Sequence, residues 1–307
     1  MNLLHLKYAV EIANTKSISR AAENLYMGQP NLSRAIKELE ENLHITIFNR
    51  TSKGITVTPE GEEFLQYARR IIGQVEEVED IYKNRMAPKQ RLSVSVPRAS
   101  YISYAFAEFA KNIKTDVPAD IFYKETNSWR TVNNIVKGEY NLGIVRFKEN
   151  YSKYYRSLFE EKHLTAELVT EFKYKILISE KHPLAKKSEI TVKDLEPYIE
   201  ITHADPYVPS LPLVDVKKEE LSKHVDKHIY IFERGSQFRL LENVPTTFMW
   251  VSPVPEDLYK RYGLVQRDCK DNEKTYEDVL IYRNGYKLTK LDSEFITAVC
   301  ESKRKYM

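Results

Sequence analysis

The stretch SISRAAENLYMGQPNLSRAIKELE, Ser17 to Glu40, constrains the fold of this chain more than any other. It holds two apolar stripes and a sharp break between them. Ile18, Ala21, Ala22 and Leu25 fall at i, i+3, i+4 and i+7, one face of a helix. Leu32, Ile36, Leu39 and Leu43 make the second stripe. In the intervening Met27-Gly28-Gln29-Pro30, Gly28 supplies a permissive turn. Pro30 suits the start of a new helix, where its missing N–H costs little. Ser17 fits an N-cap, and the stripe Leu3, Leu6, Val10 and Ala13 predicts a helix before it. The alanine pair lets another helix cross closely. Pro30, Ser33, Arg34 and Lys37 lie opposite the second stripe, presenting cations and a hydroxyl outward. That is the helix-turn-helix design, whose second helix enters the DNA major groove N-terminus first. An ordinary helical pair with a solvated polar face has the same pattern, so the residues that follow must decide.

Those residues are ITIFNRTSKGITVTPEG, Ile45 to Gly61: two short alternating runs around Ser52-Lys53-Gly54, a hairpin signal. Arg50 and Lys53 at its tip suit phosphates or a minor groove. A helix-turn-helix followed by such a hairpin is a winged helix. Thr58 then caps a long helix that has Pro59 at its first position. Along it Phe64, Ala68, Ile71, Val75, Val78 and Tyr82 alternate spacings of four and three, a heptad seam. Glu76, Glu77, Glu79 and Asp80 lie off the seam. The seam serves either dimerisation or the core of the larger domain. The break at Pro88-Lys89-Gln90 isolates the helix and favours the dimer.

Composition sets outer bounds. Of 307 residues, 42% are hydrophobic and 30% charged, enough for packed cores. A net charge of +3 is too small to argue for nucleic acid by itself, although a binder can concentrate its cations on one face. Cys269 and Cys300 have no metal-ligand spacing, and two free thiols suit a reducing cytoplasm. The first residues carry Lys7 and Glu11 inside the apolar stretch and read as no signal peptide, and no run approaches a membrane span. The expectation is a cytoplasmic protein with no membrane partner.

After the break, RLSVSVP, ADIFYKET and YNLGIVRF read as strands separated by helices at Tyr101–Lys111 and Trp129–Lys137. This β-α-β-α-β order predicts a mostly parallel sheet. PYIEIT, KHIYIF and TTFMWVSP form a second set, with helices at 217–225 and near Gln237–Leu241. TYEDVLIYR and a helix over Leu291–Lys303 close the chain. Enzyme signatures such as GxSxG, the Walker motif and HExxH are missing, so the chain reads as no enzyme, with no catalytic or metal-binding residues and no cofactor. His224 and His228 share an i, i+4 spacing, but no third ligand is evident, and a solvated helix face is the simpler account.

The N-terminal residues resemble the signature of LysR-type transcriptional regulators. The similar elements are Ser17, Ala21-Ala22, Leu25, Gln29-Pro30, Leu32-Ser33, Ile36, Leu39-Glu40, Phe48-x-Arg50, Thr58 and Gly61. The sequence departs from the family at Ala9, usually a bulky aromatic, at Gly28, often Ser, and at His44, usually the Gly that ends the recognition helix. The resemblance implies an α/β chain in three parts: an α-rich winged helix-turn-helix domain over 1–58, a linker and dimerisation helix over 59–87, and an effector domain over 91–307. That domain would be type II periplasmic-binding-protein-like, with two Rossmann-like lobes, about 91–164 with 269–307, and 165–268. The implied partners are double-stranded DNA, a small-molecule effector and copies of the same chain, commonly as a dimer of dimers. Ser17, Arg20, Gln29, Pro30, Ser33, Arg34, Lys37, Arg50 and Ser52 match the family's DNA-facing positions. Arg34 and Lys37 can reach guanine edges or phosphates, Gln29 suits adenine, and Arg50 and Lys53 suit phosphates. A solute-binding protein of the same fold is the alternative, but it would not need residues 1–87.

Ligands of open α/β sheets bind beyond the carboxyl ends of strands, here between the lobes. Those ends deliver Arg98, Ser100, Thr126, Arg146 and Phe147 from the first lobe, and Thr202, His203 and Ser252 from the second. The expected effector is a small carboxylate or other compact anion, or an amino acid if Glu125 takes its ammonium. Arg146 would supply countercharge, Ser100 and Thr126 hydrogen bonds, and Phe147 an apolar wall.

Overall fold

The computed structural model describes residues 2–51, 54–83, 89–204 and 225–307, in two compact units divided at Pro88. In the first unit, α1 (Leu3–Thr15), α2 (Ile18–Asn24) and α3 (Gln29–Leu43) precede an antiparallel hairpin of β1 (Phe48–Thr51) and β2 (Gly54–Val57), and α4 (Pro59–Lys83) follows. Ser17 caps α2 as its sequence position suggests, accepting the Arg20 N–H at 3.3 Å. Ala21, Ala22, Leu32, Ile36 and Leu39 are buried together with Ala9 and Ile12. At Ala9 a small side chain sits fully enclosed in this core. His44 closes α3 in the left-handed conformation, φ 55°, where the related signature has glycine.

Two clamps hold the hairpin and α4 against this core. Glu40 Oε1 accepts the backbone N–H groups of Ile47 and Phe48 at 2.7 and 3.0 Å. Thr58 Oγ1 donates to the Thr46 carbonyl and accepts the Gly61 N–H at 2.9 Å, capping α4. Gly61 is required by contact: a Cβ there would lie 2.3 Å from the Ile47 carbonyl oxygen.

The second unit holds two five-stranded sheets. The first, in order β4-β3-β5-β12-β6, uses β3 (Gln90–Val96), β4 (Ala119–Glu125), β5 (Leu142–Lys148), β6 (Leu164–Lys173) and β12 (Thr275–Arg283). β3 pairs in parallel with β4 and β5, as the β-α-β-α-β reading expects, while β12 runs antiparallel to β5 and β6. Helices α5 (Ser100–Ala110), α6 (Ser128–Val136) and α7 (Ser152–Glu161) cover it. The second sheet, in order β11-β7-β10-β8-β9, uses β7 (Lys175–Ser179), β8 (Ile199–His203), β9 (His228–Ile231), β10 (Thr247–Val251) and β11 (Leu264–Arg267). It carries α8 (Gly235–Asn243) and α9 (Glu256–Arg261), and the last helix, α10 (Lys290–Tyr306), returns to the first lobe with Phe295 and Val299 in its core.

The lobe limits differ from those expected. β6 pairs along its length with β12, so residues 165–173 belong to the first lobe. Cys269 is bridged to Ile190 and packs in the second lobe's core, so that lobe extends past 268. LTAELVTEFK hides a strand because its pattern does not alternate: Ala166, Glu167 and Leu168 are exposed in succession. The helix expected at 217–225 lies mostly outside the described residues, as does His224. His228 begins β9 rather than sitting on a helix, with Nε2 3.5 Å from Glu200 Oε2, so no helical histidine pair forms. No described helix is long and apolar enough to cross a membrane.

Gly61→Ala should therefore destabilise the first unit by about 1–3 kcal/mol, the usual cost of forcing an extra carbon against a packed backbone. A urea titration of wild type and variant checks this, and equal midpoints would mean that α4 can move away from Ile47.

Candidate functional site

One face of α3 is closed and the other open. Leu32, Ile36 and Leu39 are at most 1% exposed, whereas Gln29, Pro30, Arg34 and Lys37 are exposed and Ser33 is half-buried. The helix begins at Gly28 with no side-chain cap, so its first N–H groups face outward. Lys37 lies 3.6 Å from Glu41 in an exposed i, i+4 pair, weak enough to yield to a phosphate. Arg20 is exposed in the first turn of α2, and Ser17 is half-buried at its cap. Arg50 lies on β1, while Ser52 and Lys53 lie outside the described residues. Sequence reasoning missed Tyr26. It is 98% exposed at the apex of the turn before α3, in the left-handed conformation at φ 52°. A bulky aromatic with φ above zero outside a glycine-rich turn carries no local sequence signal.

The α4 seam divides. Ala68 is fully buried in the first unit, and Phe64 packs against the same core. These two positions hold α4 to its own domain, contrary to their expected place in a dimer seam. Ile71 and Val75 are half-buried and Val78 is 53% exposed, an apolar row left open beyond that core. The Tyr82 side chain lies outside what is described.

In the second unit the anticipated ligand residues separate. Arg146 was expected to offer a free cation, but its Nε and Nη2 donate to Asp278 Oδ1 and Oδ2 at 2.7 and 2.6 Å. The pair is almost wholly enclosed, with 8% and 0% of the side chains exposed. Tyr101 donates to the same Asp278 Oδ2 at 2.6 Å, and the guanidinium sits 4.7 Å from the Phe172 ring. Burial opposes the guanidinium charge, but Asp278 outweighs it and raises the Arg146 pKa. Burial, then the Asp278 carboxylate, pushes the Tyr101 phenol well above its ordinary range. Phe147, expected as a cleft wall, instead stacks on Tyr155 at 4.3 Å inside the core beneath α7. Neighbours on a strand face opposite ways, which separates the two side chains.

Of the other expected residues, Ser100 makes a contact across the lobes. Ser100, buried at the first position of α5, accepts a hydrogen bond at 2.6 Å from Nη2 of Arg234, which lies between β9 and α8. The same guanidinium donates through Nη1 to Glu125 Oε1 at the end of β4 and to Ser103 Oγ, both at 2.9 Å. Thr126 is buried beside Glu125, its N–H bonded to the Val96 carbonyl at 2.9 Å. From the second lobe, Thr202 and His203 are half-buried at the end of β8, Ser252 is buried just after β10, and His203 stands opposite Ile231 of β9. Arg98 is half-buried. Arg234 went unnoticed in the sequence, although it follows a strand end as Thr202 and Ser252 do. Asp278 could have been suspected from the acidic pair Glu277-Asp278 inside the strand TYEDVLIYR.

Residues 3–62 match the family model described as bacterial regulatory helix-turn-helix protein, lysR family. The chain is 33% identical over 199 residues to a probable RuBisCO transcriptional regulator of Phaeodactylum tricornutum. That match spans 63% of this chain and 61% of that protein, under two thirds of its length. It is 28% identical over 290 residues to the HTH-type transcriptional regulator AlsR of Bacillus subtilis, spanning 92% of this chain and 90% of that one. In fold it is similar to a full-length OxyR variant from Pseudomonas aeruginosa, with TM-score 0.60 and 16% identity over 100% of this chain and 95% of that one.

The geometry separates structural from ligand-facing arginines. Asp278→Ala should leave a buried guanidinium unpaired and cost about 3–5 kcal/mol of stability, a loss that chemical denaturation reads directly. A variant as stable as wild type would return Arg146 to the list of ligand groups.

Proposed function

We propose that the chain is a LysR-type transcriptional regulator, that it reads specific DNA through α3 and the β1–β2 hairpin, and that it alters that binding when a small molecule sits between the two lobes. The observation carrying the DNA half is the split of α3: a fully buried Leu32-Ile36-Leu39 face backing an exposed Gln29-Pro30-Arg34-Lys37 face. Gln29 and Pro30 lie in the first turn, the part of a recognition helix that meets base edges. Arg34, one turn further, is placed for a guanine edge, and Lys37 and Arg20 for phosphates. Arg50, with Ser52 and Lys53 of the wing, adds phosphate contacts. Such a protein acts where the chromosome is, in the cytoplasm, and its chemistry is binding rather than catalysis.

Two half-sites on a duplex call for two recognition helices related by a two-fold axis. Ile71, Val75 and Val78 form the row we assign to that pairing, since burying them against the same row of a second copy removes apolar surface from water. Further pairing through the second unit would give the dimer of dimers common in the family.

Two outcomes test these assignments. Arg34→Ala should weaken binding to a cognate fragment by about 1–3 kcal/mol and relax preference at one base, while Lys37→Ala should weaken all sequences alike and reduce the slope of affinity against salt by about one unit. Electrophoretic or fluorescence titrations at several salt concentrations separate the two, and wild-type binding by both variants would move the DNA face elsewhere. Ile71→Asp with Val75→Asp should dissociate the dimer and abolish operator binding together. Sedimentation showing an intact oligomer would place the contact on another surface.

A further inference from the structure

Among the described residues, the Arg234 guanidinium ties one lobe to the other. Arg234, from the second lobe, is 13% exposed and Glu125, from the first, 21%. Around this pair Ser100 Oγ and Ser103 Oγ each accept from Arg234, and Ser103 Oγ donates in turn to the Ser100 carbonyl at 3.0 Å. Tyr123 donates to Glu125 Oε1 at 3.3 Å. Arg234 and Glu125 are thus a cation and an anion contributed by different lobes and largely withdrawn from water. Arg146, a second strand-end arginine, is paired with Asp278 in a nearly enclosed ion pair.

We propose that the effector is an α-amino acid, whose carboxylate takes Arg234 and whose ammonium takes Glu125, so that the ligand replaces the direct cross-lobe ion pair. This rests on the regulator reading and names the ligand class of its cleft. Charge balance selects this class. Inserting a plain carboxylate would satisfy Arg234 but leave Glu125 without its cation. Inserting a plain amine would do the reverse. An unpaired, partly buried charge is strongly disfavoured, so each half-charged ligand forfeits much of what it gains. A zwitterion restores both pairs at once and keeps the lobes tied through itself. The released Ser100 and Ser103 hydroxyls, and the free N–H groups of the first turn of α5, are then available to the same carboxylate. Substituting a bound molecule for a side-chain contact changes how the lobes are held together, which is what a ligand-responsive domain requires.

The test is calorimetric titration of the full-length protein with the common L-amino acids, followed by two analogues of the best binder: its decarboxylated amine and its deaminated acid. The same samples are assayed for affinity to a cognate DNA fragment, alongside a panel of sugars, nucleosides and mono- and dicarboxylates. Wild type should bind one amino acid and bind both of its analogues roughly 100-fold more weakly. Arg234→Gln should erase the advantage of the zwitterion over the amine, and Glu125→Gln its advantage over the acid. Retained DNA binding shows that each variant is folded. Equal affinity for the deaminated acid, or binding of a neutral compound with no amino acid bound, overturns the zwitterion while leaving the regulator reading intact if DNA affinity still responds. If no compound binds and DNA affinity never changes, the ligand-responsive reading falls with it.

Discussion

A single buried ion pair, Arg146 with Asp278, sets the form of the larger unit. It links β5 to β12 at positions directly opposite in the ladder, and the Tyr101 hydroxyl adds α5 to the same carboxylate. Just beyond it the chain passes between the lobes. Tyr174 of the outgoing passage stacks on Tyr276 of the returning one at 4.0 Å, and Phe172 flanks both rings. Asn272 Nδ2 donates to the Tyr174 carbonyl at 2.8 Å, and Lys175 pairs with Asp268 at 3.0 Å. The two passages are therefore fastened to each other and to the first lobe's core. A buried pair of this kind contributes little net stability over a well-packed apolar substitute, but losing either half is severe. Its effect is to fix geometry, so that the strand ends carrying Ser100 and Glu125 are held in place before any ligand arrives.

The N-terminal unit solves a different problem. A recognition helix must present a polar face without loosening, and here the stiffness comes from small residues and backbone clamps. Ala9, Ala21 and Ala22 allow close packing of the helices, and Gly61 lets α4 press on Ile47. Glu40 takes two backbone donors on one oxygen at the entry to the hairpin, and the carboxylate charge strengthens both bonds. These groups position Arg34 and Gln29 by holding what lies behind them.

Much of this was legible from residues alone, and the boundary of legibility has a physical origin. The Ser17 cap, the start of α3 at Gln29-Pro30 and the Thr58 cap depend on neighbours within a few positions, so local spacing reveals them. The left-handed end of α3 was signalled by the place of His44, although the residue type argued against it. Pairings remote in sequence were not visible. Arg146 finds Asp278 more than a hundred positions away, and nothing around Arg146 distinguishes a structural cation from a ligand's partner. β6 was hidden for a related reason: its exposed residues do not alternate with buried ones, and its pairing with β12 defines it as a strand. Arg234 sits outside regular structure at a strand end, where only the approach of the other lobe gives it meaning. The heptad spacing did not distinguish Phe64 and Ala68, which serve the domain core, from the residues that follow them.

The central claim is that a two-fold pair of α3 helices reads base edges. Sequencing of genomic fragments captured by the purified full-length protein tests it most directly. The account predicts enrichment of one motif with two inverted half-sites centred about 10 base pairs apart or a multiple of that, the spacing set by the turn of the duplex. Uniform recovery of fragments regardless of sequence would contradict it and leave only non-specific attraction to phosphate.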